Sequence, residues 1–359
     1  MKLINILTVG PDSYNARAFI FPLNKYRPDL LENNIKLDFN YKVSPSLVDA
    51  DVLIIDSKFF KSWYADRLKE MYEFFEHVAN KTKIIFFDTT DSSGYLLGDV
   101  LPYCDLYLKH QTYKDKNLYL NNYYGRRIYS DYFHRNFNIT DNKVHEEVSN
   151  DISSKNDIKK IKTGWNTGLS NYSLMGEYYG KLYKYTGIKF PFQSSIKFYD
   201  PKNFRPNSIH SRMNTSYDKE SVAFQRKLLQ SKLGHLVRYN KLSRYRYFQE
   251  LKTTRLVISP FGLGEITLKD FEAFIAGATL IKPSMDHIET WPNFYIPNET
   301  YVPCKWDLND LEGLLQDLLQ DKNKALNIAI NGQNLYKKYL QSESSMMEFI
   351  NHFKKLVLS

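Results

Sequence analysis

Short apolar runs rich in β-branched residues recur along the first third of the chain, and a stripe at helical spacing separates two of them. Residues 4–9, 35–39, 51–56, 83–88 and 106–108 read as strands, and residues 61–79 as one long helix. Strand and helix in alternation predict a mostly parallel, doubly wound sheet. Residues 116–165 are polar, tyrosine-rich and less periodic, and 149–162 (SNDISSKNDIKKIK) is the most linker-like stretch. A second series follows, with strands at 207–212, 236–238 and 256–259 and helices at 219–232 and 245–251. Residues 286–292 read as a loop and 301–304 as a strand. Leu308, Leu311, Leu315 and Leu318 form the stripe of a helix capped by Asp307 and Asp310, and helices near 322–340 and 344–356 finish the chain. The expected fold is α/β, with one Rossmann-like domain over residues 1–165 and a second over 166–359.

Residues 255–283, RLVISPFGLGEITLKDFEAFIAGATLIKP, compress a strand, a glycine loop, a capped helix and another strand. Gly262 and Gly264 allow a tight turn and a close approach to the backbone. Thr267 with Asp270 reads as an N-cap and its reciprocal acid, so a helix starts near Leu268. Leu268, Phe271, Phe274 and Ile275 share its buried face, and Gly277 closes it. A glycine loop feeding a helix N-terminus offers unpaired N–H groups and the positive end of the dipole, which suits a diphosphate. Glu272, within the first turns, can accept hydrogen bonds from two vicinal hydroxyls such as those of a ribose. The alternative is an ordinary strand–loop–helix with Glu272 solvated.

Ligands of doubly wound sheets bind outside the carboxyl ends of the strands. Gly10, Asp12 and Arg17 fall there after the first strand, Asp56 and Lys58 after the third, and Asp88 and Asp91 after the fourth. Asp88 or Asp91 suits a base acting on an acceptor hydroxyl; the alternative is that DTTDSSG caps and turns.

The run EAFIAGATLI resembles the E-A-x-x-x-G-x-x-x-I segment in the second domain of GT-B glycosyltransferases, the large retaining group with its exostosin-like and capsule or lipopolysaccharide relatives. The resemblance implies two Rossmann-like domains facing a central cleft, the first for the acceptor and the second for the nucleotide-sugar donor. It implies that Glu272 holds the ribose and that the loop from Gly262 to Glu265, with Thr267 at the helix start, faces the diphosphate and donor sugar. Glu265 is then a donor-sugar contact and catalytic candidate beside Asp88 and Asp91. Six residues lie between Glu265 and Glu272 where the family pattern has seven. An Arg and a Lys neutralise the leaving diphosphate in that family; Arg212 and Lys219 stand in about the right place, with Arg226, Arg238 and Lys241 as substitutes. Fixed cations stabilise charge that develops on the β-phosphate. The glutamate motif alone favours retention, and whether the last helix crosses back onto the first domain stays open.

The 359 residues suffice for two domains. Cys104 and Cys304 lie too far apart to suggest a disulfide framework, and a cytoplasmic location fits. No run of about 18 apolar residues predicts a membrane-spanning helix, and the N-terminus reads as a strand, not a leader. The net charge of +9 implies an acidic partner. A peripheral contact at the inner membrane face accounts for it better than nucleic acid, for which no RNP, zinc-finger or helix-turn-helix pattern exists. NTPase, zinc-hydrolase and serine-hydrolase motifs are missing too. Asp49-Ala50-Asp51 reads as a turn leading into its strand, and the eight histidines show no metal-ligand spacing. No metal or cofactor is expected beyond a nucleotide-diphosphate sugar donor, with a glycan or lipid-linked acceptor. The alternatives are a nucleotide-sugar epimerase of the same fold and a non-enzymatic module binding polyanions or a membrane surface.

Overall fold

The structure, a computed structural model, describes residues 1–359 apart from 12, 143–149, 151, 153, 189–191, 193, 203, 239 and 359. Its strands are β1 (Lys2–Leu7), β2 (Ile35–Asn40), β3 (Val52–Asp56), β4 (Lys83–Asp88), β5 (Leu106–Lys109), β6 (Gln111–Tyr113), β7 (Ile161–Thr163), β8 (Asn207–Arg212), β9 (Val237–Arg238), β10 (Thr254–Ile258), β11 (Thr279–Pro283), β12 (Ile288–Thr290) and β13 (Val302–Cys304). The helices are α1 (Tyr14–Lys25), α2 (Arg27–Glu32), α3 (Trp63–Asp66), α4 (Leu68–Ala79), α5 (Ile128–Phe137), α6 (Gly176–Thr186), α7 (Glu220–Leu233), α8 (Arg244–Leu251), α9 (Leu268–Ala276), α10 (Leu311–Gln320), α11 (Lys322–Gln341) and α12 (Glu343–Val357).

Two parallel sheets result, ordered β2-β1-β3-β4-β5-β7 and β13-β11-β10-β8-β9. Renumbered within each sheet, the first five strands of one and all strands of the other follow the order 2-1-3-4-5. The chain therefore reverses direction of growth between β1 and β3 in one sheet and between β8 and β10 in the other, and such switch points are where a crevice opens for ligands. The α/β expectation of two Rossmann-like sheets holds.

Three local expectations change. The helix expected over 61–79 is broken at Arg67, whose backbone (φ −130°, ψ 31°) leaves the helix while its guanidinium lies 4.0 Å from the Trp63 ring centroid and pairs with Glu70. Asp310 stands at the N-cap of α10, but its carboxylate accepts the Lys305 N–H at 2.9 Å instead of a helix N–H, and Leu308 sits outside the helix at φ 57°. The loop expected at 286–292 contains β12, which pairs antiparallel with β6, Ile288 opposite Tyr113 and Thr290 opposite Gln111. This ribbon ties the first domain to the second, and its partner lies far away in sequence, so no local pattern announces it.

A single hydrophobic core runs through both domains, with a smaller cluster beneath the outer side of the second sheet. The last helix, α12, crosses onto the first domain. Phe349 packs against Tyr26 (5.2 Å between ring centroids) and Trp165 (5.7 Å), Lys354 reaches Asn33, and Lys83 reaches the Val357 carbonyl. Both cysteines are free and buried. Among the described residues no helix is long and apolar enough to cross a membrane.

Phe349→Ala empties a buried site shared by both ends of the chain. It is expected to lower stability by about 3–5 kcal/mol, read as a shift of the urea midpoint.

Candidate functional site

The capped helix stands where the residues place it. Thr267 is the N-cap of α9, Asp270 receives the Thr267 N–H at 3.1 Å, and Gly277 ends the helix at φ 65°. The Asp270 carboxylate does more than cap. It accepts hydrogen bonds from Ser259 Oγ (2.5 Å) at the end of β10 and Tyr295 Oη (2.8 Å), and pairs with Lys282 of β11 at 3.1 Å, both side chains fully buried. Burial pushes the Lys282 ammonium down and Asp270 acts against that shift.

This clamp fixes the loop in front of α9. Gly262 N–H bonds back to the Gly264 carbonyl at 3.0 Å, and a Cβ at Gly264 would lie 2.0 Å from the carbonyl oxygen of Asp91, so only glycine lets the two domains' loops meet there. Arg226 of α7 reaches the loop, its Nε donating to the Phe261 carbonyl at 3.0 Å. Lys269, in the first turn of α9, donates to the Arg212 carbonyl. Burial and the nearby Arg226 bring its ammonium down to about 7, against the pull of Glu272 and Asp270.

Glu272 lines an interdomain cleft in which Leu268, Glu272 and Arg244 face Pro11, Tyr14 and Arg17. Its carboxylate already holds two partners, Arg244 Nη1 at 3.1 Å and Tyr247 Oη at 2.8 Å, and burial pushes it up. Arg244 in turn donates to the carbonyls of Tyr172 and Ser173. Arg17 differs: its guanidinium lies 4.5 Å from the Tyr14 ring centroid and makes no hydrogen bond or ion pair among the described residues. The cavity encloses only about 30 Å³, room for one water, so a nucleotide enters only if the walls part.

The three candidate catalytic carboxylates have different surroundings. Asp88 is fully buried against Lys109 Nζ (2.5 Å) and Tyr107 Oη (2.7 Å). Glu265, also fully buried, accepts from the Ser93 N–H (3.0 Å) and O–H (2.5 Å) across the domain boundary. Burial raises the Glu265 carboxyl, but the His287 imidazole, 3.8 Å away, and the Ser93 donors outweigh it, and the group sits below its ordinary value. Asp91 is exposed, and among the described residues its side-chain partner is Asn15 Nδ2 at 2.8 Å.

Of the phosphate-binding candidates, Arg212 is turned away, its guanidinium spent on Asn240 and Glu250, a carboxylate it shares with Arg238. Lys219 precedes α7 with partners of its own, and Lys241 is exposed ahead of α8. Arg226, a substitute, is the one brought to the glycine loop. Asp12 lies outside the described residues. Sequence reasoning missed Lys269, Arg244, Ser93 and His287; only Lys269, in the T-L-K-D-F-E run, carried a local signal. Among the described residues no group of three or more His, Cys, Asp or Glu side chains could hold a metal ion.

Ser93→Ala removes one donor to a buried charge and is expected to cost about 1.5–3 kcal/mol at pH 7. Because the folded carboxyl of Glu265 lies below its ordinary 4.5, that stabilisation is full above 4.5 and is lost as pH falls through the folded value. Urea unfolding of wild type and variant at neutral and acid pH reads the difference shrinking.

No protein-family model and no curated protein matches the chain. Similar solved structures include HepE of Anabaena in complex with UDP (10% identity, TM-score 0.44, 99% of this chain and 100% of that chain). An alpha-glucosyltransferase in complex with UDP and a 13-mer DNA aligns at 8% identity and TM-score 0.44, covering 99% of each chain. Sucrose-phosphate synthase of Thermosynechococcus elongatus aligns at 11% and 0.45, again over 99% of each. Likenesses of this degree carry no argument by themselves, so the chemistry has to come from the side chains of this chain.

Proposed function

We propose that the chain is a glycosyltransferase of the GT-B type that moves a sugar from a nucleotide-diphosphate donor to a hydroxyl of a glycan or lipid-linked acceptor in the interdomain cleft. One observation carries the reading: the glycine loop, the start of α9, Arg226 and Lys269 converge at the end of β10, beside a cleft where Arg17 of the other domain is left without an anion.

Breaking the anomeric bond leaves charge on the β-phosphate. Helix N–H groups and fixed cations at that point stabilise the charge as it develops. Glu272 supports the ribose role by its place on the cleft wall, and Arg244 and Tyr247 hold its carboxylate in one orientation for two vicinal hydroxyls. Asp91 is the carboxylate with an open side, at the loop that touches Gly264, and takes the acceptor hydroxyl proton; that role belongs to an inverting displacement and departs from the retention that the glutamate motif alone favours. Glu265, buried on Ser93, positions the donor loop against the first domain.

Calorimetry with a panel of nucleoside diphosphates tests this. Arg17→Ala and Glu272→Ala should each weaken the selected diphosphate about ten- to a hundredfold, equivalent to losing about 1.5–3 kcal/mol of charge-assisted bonding. Failure of every diphosphate to bind the folded wild-type chain would sink the reading. Lys269, near 7 when the site is empty, is raised by a bound diphosphate, so binding takes up protons near pH 7 and weakens as pH rises above it. Enthalpies measured in buffers of different ionisation heat read that uptake, and it should vanish in Lys269→Met.

A further inference from the structure

A second cleft opens at the ends of β3 and β4, with a cavity of about 670 Å³, the range of a small-molecule site. We propose that it is the acceptor site and that the acceptor is an anionic saccharide, one bearing a phosphate or carboxylate. The acceptor role rests on the glycosyltransferase reading; the binding site and its charge preference do not.

The chemistry of the lining argues for both sugar and charge. Tyr64 and Tyr72 present rings to the cleft, each with its hydroxyl tied to Asp99, at 3.3 and 2.9 Å. Rings fixed by their hydroxyls offer apolar faces to the C–H side of a sugar without having to be ordered first. Asp99 is committed to the two tyrosine hydroxyls and makes no ion pair among the described residues. On the opposite side the Arg126 guanidinium lies 4.9 Å from the Tyr95 ring centroid and donates to the Leu96 carbonyl. Its backbone is held at φ 57°, directly after Gly125 at φ 63°. A non-glycine residue costs free energy in that region, and such outliers cluster at ligand clamps.

The ammonium groups of Lys58 and Lys61 complete the rim, and neither has a hydrogen bond or ion pair among the described residues. Four cations, Lys58, Lys61, Arg126 and Arg127, line the cleft against two carboxylates, Asp99 and Asp91, the latter held by Asn15 and taking the acceptor proton in the reaction proposed above. Leu263 of the glycine loop lines this cleft, so the cleft borders the loop proposed to face the donor. A larger groove of about 940 Å³ beside β2 includes no residue of that loop, which is why the acceptor is placed here.

The test is binding of defined probes to the full chain by calorimetry: glucose 6-phosphate, glucuronate, glucose, inorganic phosphate and a short single-stranded DNA. The two charged sugars should bind at least ten times more tightly than glucose and than inorganic phosphate. The Lys58→Ala/Lys61→Ala double variant should weaken them about tenfold. A charge-matched control on the outer face of α4 and its C-terminal end, Lys69→Ala/Lys81→Ala, should leave them unchanged. Equal binding of glucose and charged sugars, equal loss in the control, or DNA and phosphate binding as tightly as the charged sugars would each overturn the proposal. Diphosphate binding is measured separately, so a chain that fails there but binds charged sugars loses the donor reading and keeps this site.

Discussion

The Asp270 carboxylate is the interaction on which the glycine loop ahead of α9 depends. Withdrawing a carboxylate and an ammonium from water costs several kcal/mol per ion, and only good geometry with further hydrogen bonds offsets it. Asp270 meets that condition: it joins the end of β10 through Ser259, the start of α9 through Thr267, β11 through Lys282, and Tyr295 beyond. Removing it would leave Lys282 charged and unpaired in the interior, a loss of about 3–5 kcal/mol. The first domain repeats the device, with Asp88 at the end of β4 paired to Lys109 of β5 and fixing Thr90 through its N–H. In both sheets a buried ion pair holds the loop that follows a strand, and these two loops meet at Gly264 and Asp91.

That meeting constrains how the cleft opens. Glu265 is bonded across it to Ser93, the Asp91 carbonyl accepts from Gln111, and the β6–β12 ribbon runs alongside. The opposite wall is looser: Arg17 has no polar partner among the described residues, and Tyr14 is exposed. Entry of a nucleotide into a 30 Å³ space therefore draws on movement of Arg17 and Tyr14 against α6, with the Gly264 contact as the fixed edge. The crossing of α12 back onto the first domain acts the same way, since it ties the far ends of the chain into one core.

What was legible in the sequence was local. Thr267, Asp270 and Gly277 mark the ends of α9 because caps are made by residues within a few positions of each other, and the strands announce themselves by unbroken apolar runs. What was illegible depends on partners far along the chain. Arg212 stands at the end of the expected strand, but Glu250 and Asn240, which no spacing rule links to it, turn its guanidinium away; Arg226, one helix later, takes its place at the loop. The family resemblance makes Glu265 a donor-sugar contact, and no spacing rule foretells its hydrogen bonds to Ser93 of the other domain. The helix α5 went unseen in a polar stretch because its buried positions pair the apolar rings of Tyr129 and Phe133 with the polar Ser130 and Asp131, which blurs the stripe.

The excess of basic residues takes on meaning once they are located. Arg17 and Arg244 line the interdomain cleft, Arg226 and Lys269 stand at the glycine loop and the start of α9, and Lys58, Lys61 and Arg126 line the second cleft. In the proposed reaction the donor cations face a problem of selectivity: a field that binds the intact diphosphate as strongly as the departing one lowers the barrier not at all. Arginines keep their charge regardless. Lys269 does not, because burial beside Arg226 holds it near 7, where its proton is only partly retained. In that reading, charge accumulating on a β-phosphate at the start of α9 would draw the proton onto Lys269, a response that an arginine, charged throughout, would not give.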